Sequence, residues 1–476
     1  MVPRRVRVVL FFLFLVGVVS IFSSTPSEFK EHVDRHALKY RKWFGEYYWR
    51  SDLLPLVDLE STDWLVTDTT LLTSTVAGFN VFDKLYLRSG RFYAVARDPS
   101  SFPALESILP LQETQKDETA TPSKMHIISP DDANKYLGVR AVVLDGATFI
   151  FWDSDPFISH YYRWWGELML GAMRVYSGLS FVPGIKLPLP EPRRFLLPNV
   201  PEHHWRDSAG VNGPILRAGW PSTSIEGRDF WEDLIYLNQT YVFERAMIVS
   251  RPAAYTSPLR AQWFKMISTV MGMAVPNAFW APTQHRVVRN TLGYLPYLNE
   301  DGVVASPIAS RAPIVTYISR HSGVKKINRE SQEGLVKALT ELEQEGVCEL
   351  HVVAMEKTTF SEQLAIIAKT TIMIGIHGTG MTHQLWMPSS PRSTVIEFFH
   401  PNAYPNDYEL LARNVGHKHY AVWNDTYATH SKIPESGIVE YGTRLSLNKD
   451  PIPIHGPTIA EIIRRRLTSK INDLYP

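Results

Sequence analysis

Cysteine is nearly absent from this chain: Cys348 is the only one in 476 residues. A single thiol forms no intrachain disulfide, so a small secreted scaffold stapled by bridges is excluded, and so is a thiolate zinc cluster. Stability must come from core burial, and Cys348, at the start of an apolar stretch, reads as a buried structural thiol. An excess of charge of either sign is also lacking. The formal net charge is +1, there is no acidic tail, and nothing matches the phosphate backbone of a nucleic acid. No G-x-S-x-G elbow and no H-E-x-x-H occurs, which disfavours a serine esterase or a zinc protease. The glycines at 375, 378 and 380 do not space as G-x-G-x-x-G, so a dinucleotide oxidoreductase is a poor reading. Internal repeats and low-complexity arrays are missing as well.

What is present is an ordinary globular composition, at a length that suits two domains of about 150–250 residues. Trp and Tyr are plentiful, at 13 and 21, which fits stacking on sugar rings, although core packing accounts for them equally well. Arg4, Arg5 and Arg7 precede an apolar run over residues 8–22 that Ser23 and Ser24 extend. Basic residues ahead of an apolar segment stay on the cytosolic side, so the expectation is a single-pass type II signal anchor with the rest of the chain in the lumen. A cleaved signal peptide, giving an ER lumenal or secreted protein, is the alternative. Two sequons, Asn238-Gln239-Thr240 and Asn424-Asp425-Thr426, fit lumenal exposure and make Asn238 and Asn424 candidate glycosylation sites.

After the anchor, residues 25–60 read as a stem, with an amphipathic helix near 27–50. Residues 61–112 look β-rich, residues 112–123 form a polar loop, and 141–144 and 147–152 read as strands. The proline-dense stretch 183–201 predicts an irregular connection. Residues 232–247 and 258–272 look helical, and 293–312 reads as an interdomain passage. From residue 312 the rhythm is regular: strand 313–319, helix 329–344, strand 349–354, a helix from Phe360, a buried strand ending at Ile376, a helix opening at Met381, and strand 395–399. A helix near 407–415, a strand at 420–423 and a helix over 457–471 follow. Such alternation implies parallel pairing through right-handed crossovers.

The densest information lies in His377-Gly378-Thr379-Gly380-Met381-Thr382-His383, between two of those strands. In an open α/β sheet ligands sit at the carboxyl ends of strands, and a helix N-terminus there favours anions. Gly378 and Gly380 permit close backbone approach or positive φ. The stretch is thus a candidate cradle for a nucleotide diphosphate.

Together with the following Leu385-Trp386-Met387-Pro388 and the strand carrying Glu397, this motif resembles the C-terminal signature of glycosyltransferase family 61. Ile318-Ser319-Arg320 with Lys325 and Lys326, and Phe360-Ser361-Glu362-Gln363, are similar to upstream features of that family. The resemblance is strong over residues 313–400 and thinner over 150–175. It implies an α/β fold of GT-B type, with two Rossmann-like domains facing a cleft: an acceptor-side domain over 61–300 and a donor-binding domain over 301–476, following a basic tail (1–7), anchor (8–24) and stem (25–60). It also implies an inverting transfer of a pentose or N-acetylglucosamine from a UDP-sugar to a glycan or protein hydroxyl in the Golgi lumen, with no required cofactor.

Under that resemblance Arg320, Lys325, Lys326, His377, Gly378, Thr379, Gly380, Met381, Thr382 and Glu397 bind the donor, with Glu397 accepting both ribose hydroxyls. The acceptor side centres on residues 151–171. Asp153-Ser154-Asp155 has the spacing of a carboxylate pair for a divalent ion, the minor alternative to a metal-free mechanism. An inverting transfer needs one general base, and Glu167 beside Trp164 and Trp165 is the first candidate, with Asp155, Asp153 and His160 behind it. Arg163 stands where the family more often has a histidine. That departure favours a second reading, a catalytically silent member that binds glycans or a partner subunit.

Overall fold

A computed structural model describes residues 63–73, 76–109, 124–259, 265–306, 311–320, 326–401, 403–429 and 451–474. The expected basic tail, anchor and stem, the polar loop and Lys325 lie outside them. Among the described residues no helix is long and apolar enough to cross a membrane.

Two sheets carry the chain. The first is mixed, in the order Met125–Ile128, Arg91–Val95, Phe79–Arg88, Tyr241–Val249, Arg140–Phe151, Pro192–Leu196, Ser224–Glu226, with two short strands added off this path. Its centre is the parallel pair Arg140–Phe151 and Tyr241–Val249. The two strands expected at 141–144 and 147–152 are one. Gly146, at φ 71°, makes a bulge between Leu144 and Ala147 that lets the strand continue.

The second sheet runs Glu349–Val353, Ile314–Ile318, Thr370–Ile376, Thr394–Phe398, Lys418–Trp423, all parallel, with Thr426–Ala428 antiparallel at the edge. In chain order its parallel strands read 2-1-3-4-5. Every residue of Thr370–Ile376 is buried, as a strand covered on both faces requires, and hence its unbroken apolar run. Thr359 and Glu362 form a capping box that starts the helix Phe360–Ile367. Asn328 caps the helix Arg329–Gln344 by accepting from the Ser331 amide. One hydrophobic cluster runs from Phe149, Trp164 and Trp165 of the first half to Met373, Trp386 and Leu411 of the second.

Two expectations fail in the first half. Residues 232–247 hold the end of the helix Arg228–Tyr236 and then the strand Tyr241–Val249, where Tyr, Val, Phe and Ile favour a strand buried between two neighbours. The proline-dense stretch contains the strand Pro192–Leu196, where Pro192 takes the first position and costs little of the ladder. Of residues 258–272, expected as helix, 258–259 are helical and Met266–Val270 forms a 3-10 turn, while 260–264 lie outside the described residues.

The join between Phe79–Arg88 and the chain after Tyr241–Val249 depends on Gly78. Its φ is +79°, and an added Cβ would lie 2.5 Å from the Ala254 Cβ and the Ser250 carbonyl oxygen. Gly78→Ala combines a left-handed backbone with overpacking against main chain. It should destabilise by about 2–4 kcal/mol, read as a lowered urea midpoint at unchanged slope.

Candidate active site

The order 2-1-3-4-5 places a topological switch point between strands Ile314–Ile318 and Thr370–Ile376, and the crevice outside their carboxyl ends is where such sheets bind ligands. The residues at those ends are Ser319-Arg320 and His377-Gly378. Arg320 is exposed and makes no ion pair among the described residues. Its guanidinium lies against Gly378: a Cβ there would sit 2.9 Å from Nη1. Gly378 itself is extended, at φ 163°, so its value is the space it leaves for Arg320 and not a special backbone conformation. Gly380 has only Ile318 Cγ2 near its missing Cβ, at 3.8 Å.

A 3-10 helix, Thr379–Trp386, leaves this turn. Its first amides, of exposed Thr379 and half-buried Gly380, find no carbonyl among the described residues. The Met381 amide is already taken by the Gly378 carbonyl at 2.8 Å, which removes it from the expected cradle. Met381 and Thr382 are buried side chains that seat the helix. His383 is buried too, with Nε2 2.9 Å from Gln363 Oε1 and Nδ1 3.2 Å from the Gly380 carbonyl; burial pushes its pKa down to about 4, so the neutral ring donates to one of these acceptors. Lys326 is exposed beyond the end of Ile314–Ile318.

Glu397 departs from expectation. It is fully buried, and its oxygens face two imidazoles, His377 Nδ1 at 2.5 Å and His419 Nε2 at 2.7 Å, leaving none for ribose hydroxyls. Burial alone would raise its pKa, but the hydrogen bonds from His377 and His419 outweigh burial and hold the carboxyl below the usual glutamate range. His377 packs on Phe399 and Tyr408, with ring centroids 5.6 and 5.2 Å away.

On the other side Asp153 is buried and both its oxygens are committed to Arg251, through the backbone amide at 3.0 Å and Nε at 2.9 Å. Asp155 instead meets His204 at 3.1 Å. The two carboxylates therefore turn to different partners and do not form an ion-binding pair, because Arg251 already neutralises the first. Among the described residues no group of three or more His, Cys, Asp or Glu side chains is arranged to hold a metal.

His160 is half-buried, and burial, then the nearby Arg163, lowers its pKa. Glu167 lies in a π-helical stretch, Arg163–Met169, a distortion frequent at functional sites. It accepts from the Met266 amide at 3.1 Å, and burial, opposed by Lys265, pushes its pKa up to about 7. Lys265 in turn forms a buried ion pair with Asp407 at 2.6 Å. Tyr162 packs on Tyr408, and Trp386 Nε1 donates to the Tyr161 hydroxyl at 2.9 Å, so the segment carrying Glu167 is seated against the elements that carry His377.

The sequence reading missed His419, Lys265, Asp407 and Arg251. Each is a partner distant in sequence from the residue it holds, and no spacing rule connects them. Cys348 is buried and free, its thiol pushed up to about 12 by burial. Asn238 and Asn424 are both exposed with positive φ, Asn424 in the tight turn between the last two strands.

A parallel sheet in the order 2-1-3-4-5, with an exposed arginine at its switch point, defines an α/β protein of Rossmann-like build. Residues 181–396, a little under half of the chain, match the family model for Glycosyltransferase 61. The matched span takes in Arg320 and His377 to Thr382 and stops one residue before Glu397. The chain is also 33% identical over 109 residues to the EGF domain-specific O-linked N-acetylglucosamine transferase of Drosophila melanogaster. That alignment covers 23% of this chain and 19% of the relative.

Proposed function

We propose that this chain is an inverting glycosyltransferase that moves a sugar, a pentose or N-acetylglucosamine, from a UDP-sugar to a glycan or protein hydroxyl in the secretory pathway. The observation that carries this reading is the exposed Arg320 lodged against Gly378 at the switch point, beside the Thr379 and Gly380 amides. Departure of a nucleoside diphosphate leaves negative charge on the β-phosphate. A guanidinium that can bind bidentately, with preorganised amides, opposes that charge without a metal. The relative's name supports N-acetylglucosamine as the sugar and a protein as the acceptor. In this reading the sheet over residues 314–428 belongs to the donor half (301–476) and the first sheet to the acceptor half (61–300), in a GT-B arrangement. The N-terminal apolar run anchors the chain in the Golgi membrane with both sequons in the lumen.

The test is thermal unfolding of the full chain titrated with UDP, UDP-xylose and UDP-N-acetylglucosamine, with and without EDTA. A ligand at about 100 times its dissociation constant should stabilise by roughly 2.7 kcal/mol. A shift insensitive to EDTA supports the metal-free donor site, and the sugar nucleotide with the largest shift names the donor. No shift with any nucleotide would favour the silent, glycan-binding reading that Arg163 suggests.

A further inference from the structure

We propose that His377 is the general base of the transfer, and that Glu397, backed by His419, is the positioning residue that aims it. This rests on the donor reading above and replaces Glu167 as the base. The argument begins with hydrogen-bond bookkeeping. An ionised carboxylate only accepts, so His377 must donate from Nδ1 to Glu397 at 2.5 Å, and His419 from Nε2 at 2.7 Å. The neutral tautomer of His377 is thereby fixed, with the lone pair on Nε2, which takes no partner among the described residues.

Exposure then separates the two histidines. The His377 side chain is 15% exposed, whereas that of His419 is 2% exposed and its Nδ1 is buried with no partner. A proton reaching the cluster therefore lands on His377 Nε2.

Placement fits the same role. His377 follows the central strand directly, with Arg320 packed against the next residue, Gly378, on the donor side. Its ring contacts Tyr408, which packs on Tyr162 of the acceptor-side segment. The imidazole thus stands between the leaving-group cradle and the acceptor segment. Glu167 is more deeply buried and is committed to the Met266 amide. The ionisable groups around the cluster are Glu397 and His419, Glu409 with Arg413, Tyr404 and Tyr408, and Arg320 beyond Gly378.

In the step itself, the acceptor hydroxyl oxygen forms a bond to the sugar C1 as its proton moves to His377 Nε2. The bond between C1 and the β-phosphate oxygen breaks, and its electron pair leaves with UDP toward Arg320. No oxidant or further reactant is needed.

The experiment compares wild type, His377→Gln, Glu397→Gln and Glu167→Gln. Two readouts are taken: UDP affinity by calorimetry, and release of UDP from UDP-N-acetylglucosamine or UDP-xylose with water as acceptor, across pH. His377→Gln should keep UDP affinity within about threefold while turnover falls roughly 10²–10⁴-fold and the acid limb of its pH profile disappears. Glu397→Gln should lower turnover at unchanged UDP affinity while the acid limb persists, because His377 loses the carboxylate that holds its Nδ1.

A histidine 15N spectrum provides a readout independent of turnover. It should show His377 with Nδ1 protonated and Nε2 bare, and a mixture of tautomers in Glu397→Gln. Loss of UDP affinity in His377→Gln in step with turnover would make His377 a donor ligand and overturn the proposal. Retention of the acid limb in His377→Gln with its loss in Glu167→Gln would overturn it in favour of Glu167, and so would the opposite tautomer. Failure of the wild type to bind UDP would instead remove the donor reading, with the spectrum still deciding the Glu397–His377 arrangement.

Discussion

Replacing Arg320 with alanine should weaken UDP binding by one to two orders of magnitude and leave the folded state nearly as stable as before. Hydrogen bonds between a guanidinium and phosphate oxygens contribute about 1.5–3 kcal/mol, which is a factor of roughly 10–150 in affinity. The side chain is exposed and carries no ion pair among the described residues, so its loss removes little from the fold. Lysine should recover only part of the affinity, since a point charge does not reproduce the planar fork. Gly378→Val tests the same contact from the other side: its side chain would occupy the place where Nη1 now lies, 2.9 Å from a Cβ, and push the guanidinium out of the crevice. Calorimetric titration with UDP, beside urea denaturation, separates the two effects. Equal losses of stability and affinity would mean that Arg320 holds the turn together and does not hold a ligand.

That Arg320 and the His377 turn were legible from sequence has a physical basis. In residues 313–400 strand and helix alternate with short turns, and the buried strands are unbroken apolar runs, so local pattern and tertiary role agree. The helix expected at 329–344 is found at Arg329–Gln344. Glycines mark the turn because backbone and guanidinium approach closely there. The first half is less legible for the opposite reason. Tyr241–Val249 carries Glu244, Arg245, Ala246 and Met247, which suit a helix, between Tyr, Val, Phe and Ile residues that suit a strand, and pairing with both neighbours decides for the strand.

Site chemistry was legible by residue but not by contact. Glu397 was visible as a carboxylate near the end of a strand. Its partner His419 lies 22 residues on, in the adjacent parallel strand, and no periodicity links the two. Parallel pairing aligns Glu397 with Ala421 and so brings His419 alongside. The same holds for Asp153, whose arginine is 98 residues away. A sequence names the side chains that can ionise, while sheet topology decides which are neutralised by a neighbour and which stay open to a ligand.

The largest stability effect should come from the Lys265–Asp407 pair, whose members are 142 residues apart and both 7% exposed. A buried pair is poor evidence of net stabilisation, since both charges are desolvated, but removing one partner strands the other. Lys265→Met should therefore cost about 3–5 kcal/mol, and Asp407→Leu a comparable amount, as fractions of a total that for globular proteins is only about 5–15 kcal/mol. The double variant Lys265→Met/Asp407→Leu should recover much of the loss, because no unpaired charge remains. Urea denaturation of the two singles and the double gives the coupling directly.

The pair also reaches the chemistry. Lys265 precedes Met266, whose amide holds Glu167, and Asp407 opens the helix whose next residue, Tyr408, supports His377. Without Lys265 the charge that opposes burial at Glu167 is gone, and its pKa should rise above its present value of about 7. A Lys265→Met variant that loses less than about 1 kcal/mol would show that water reaches Asp407 and that this junction is more open than the geometry states.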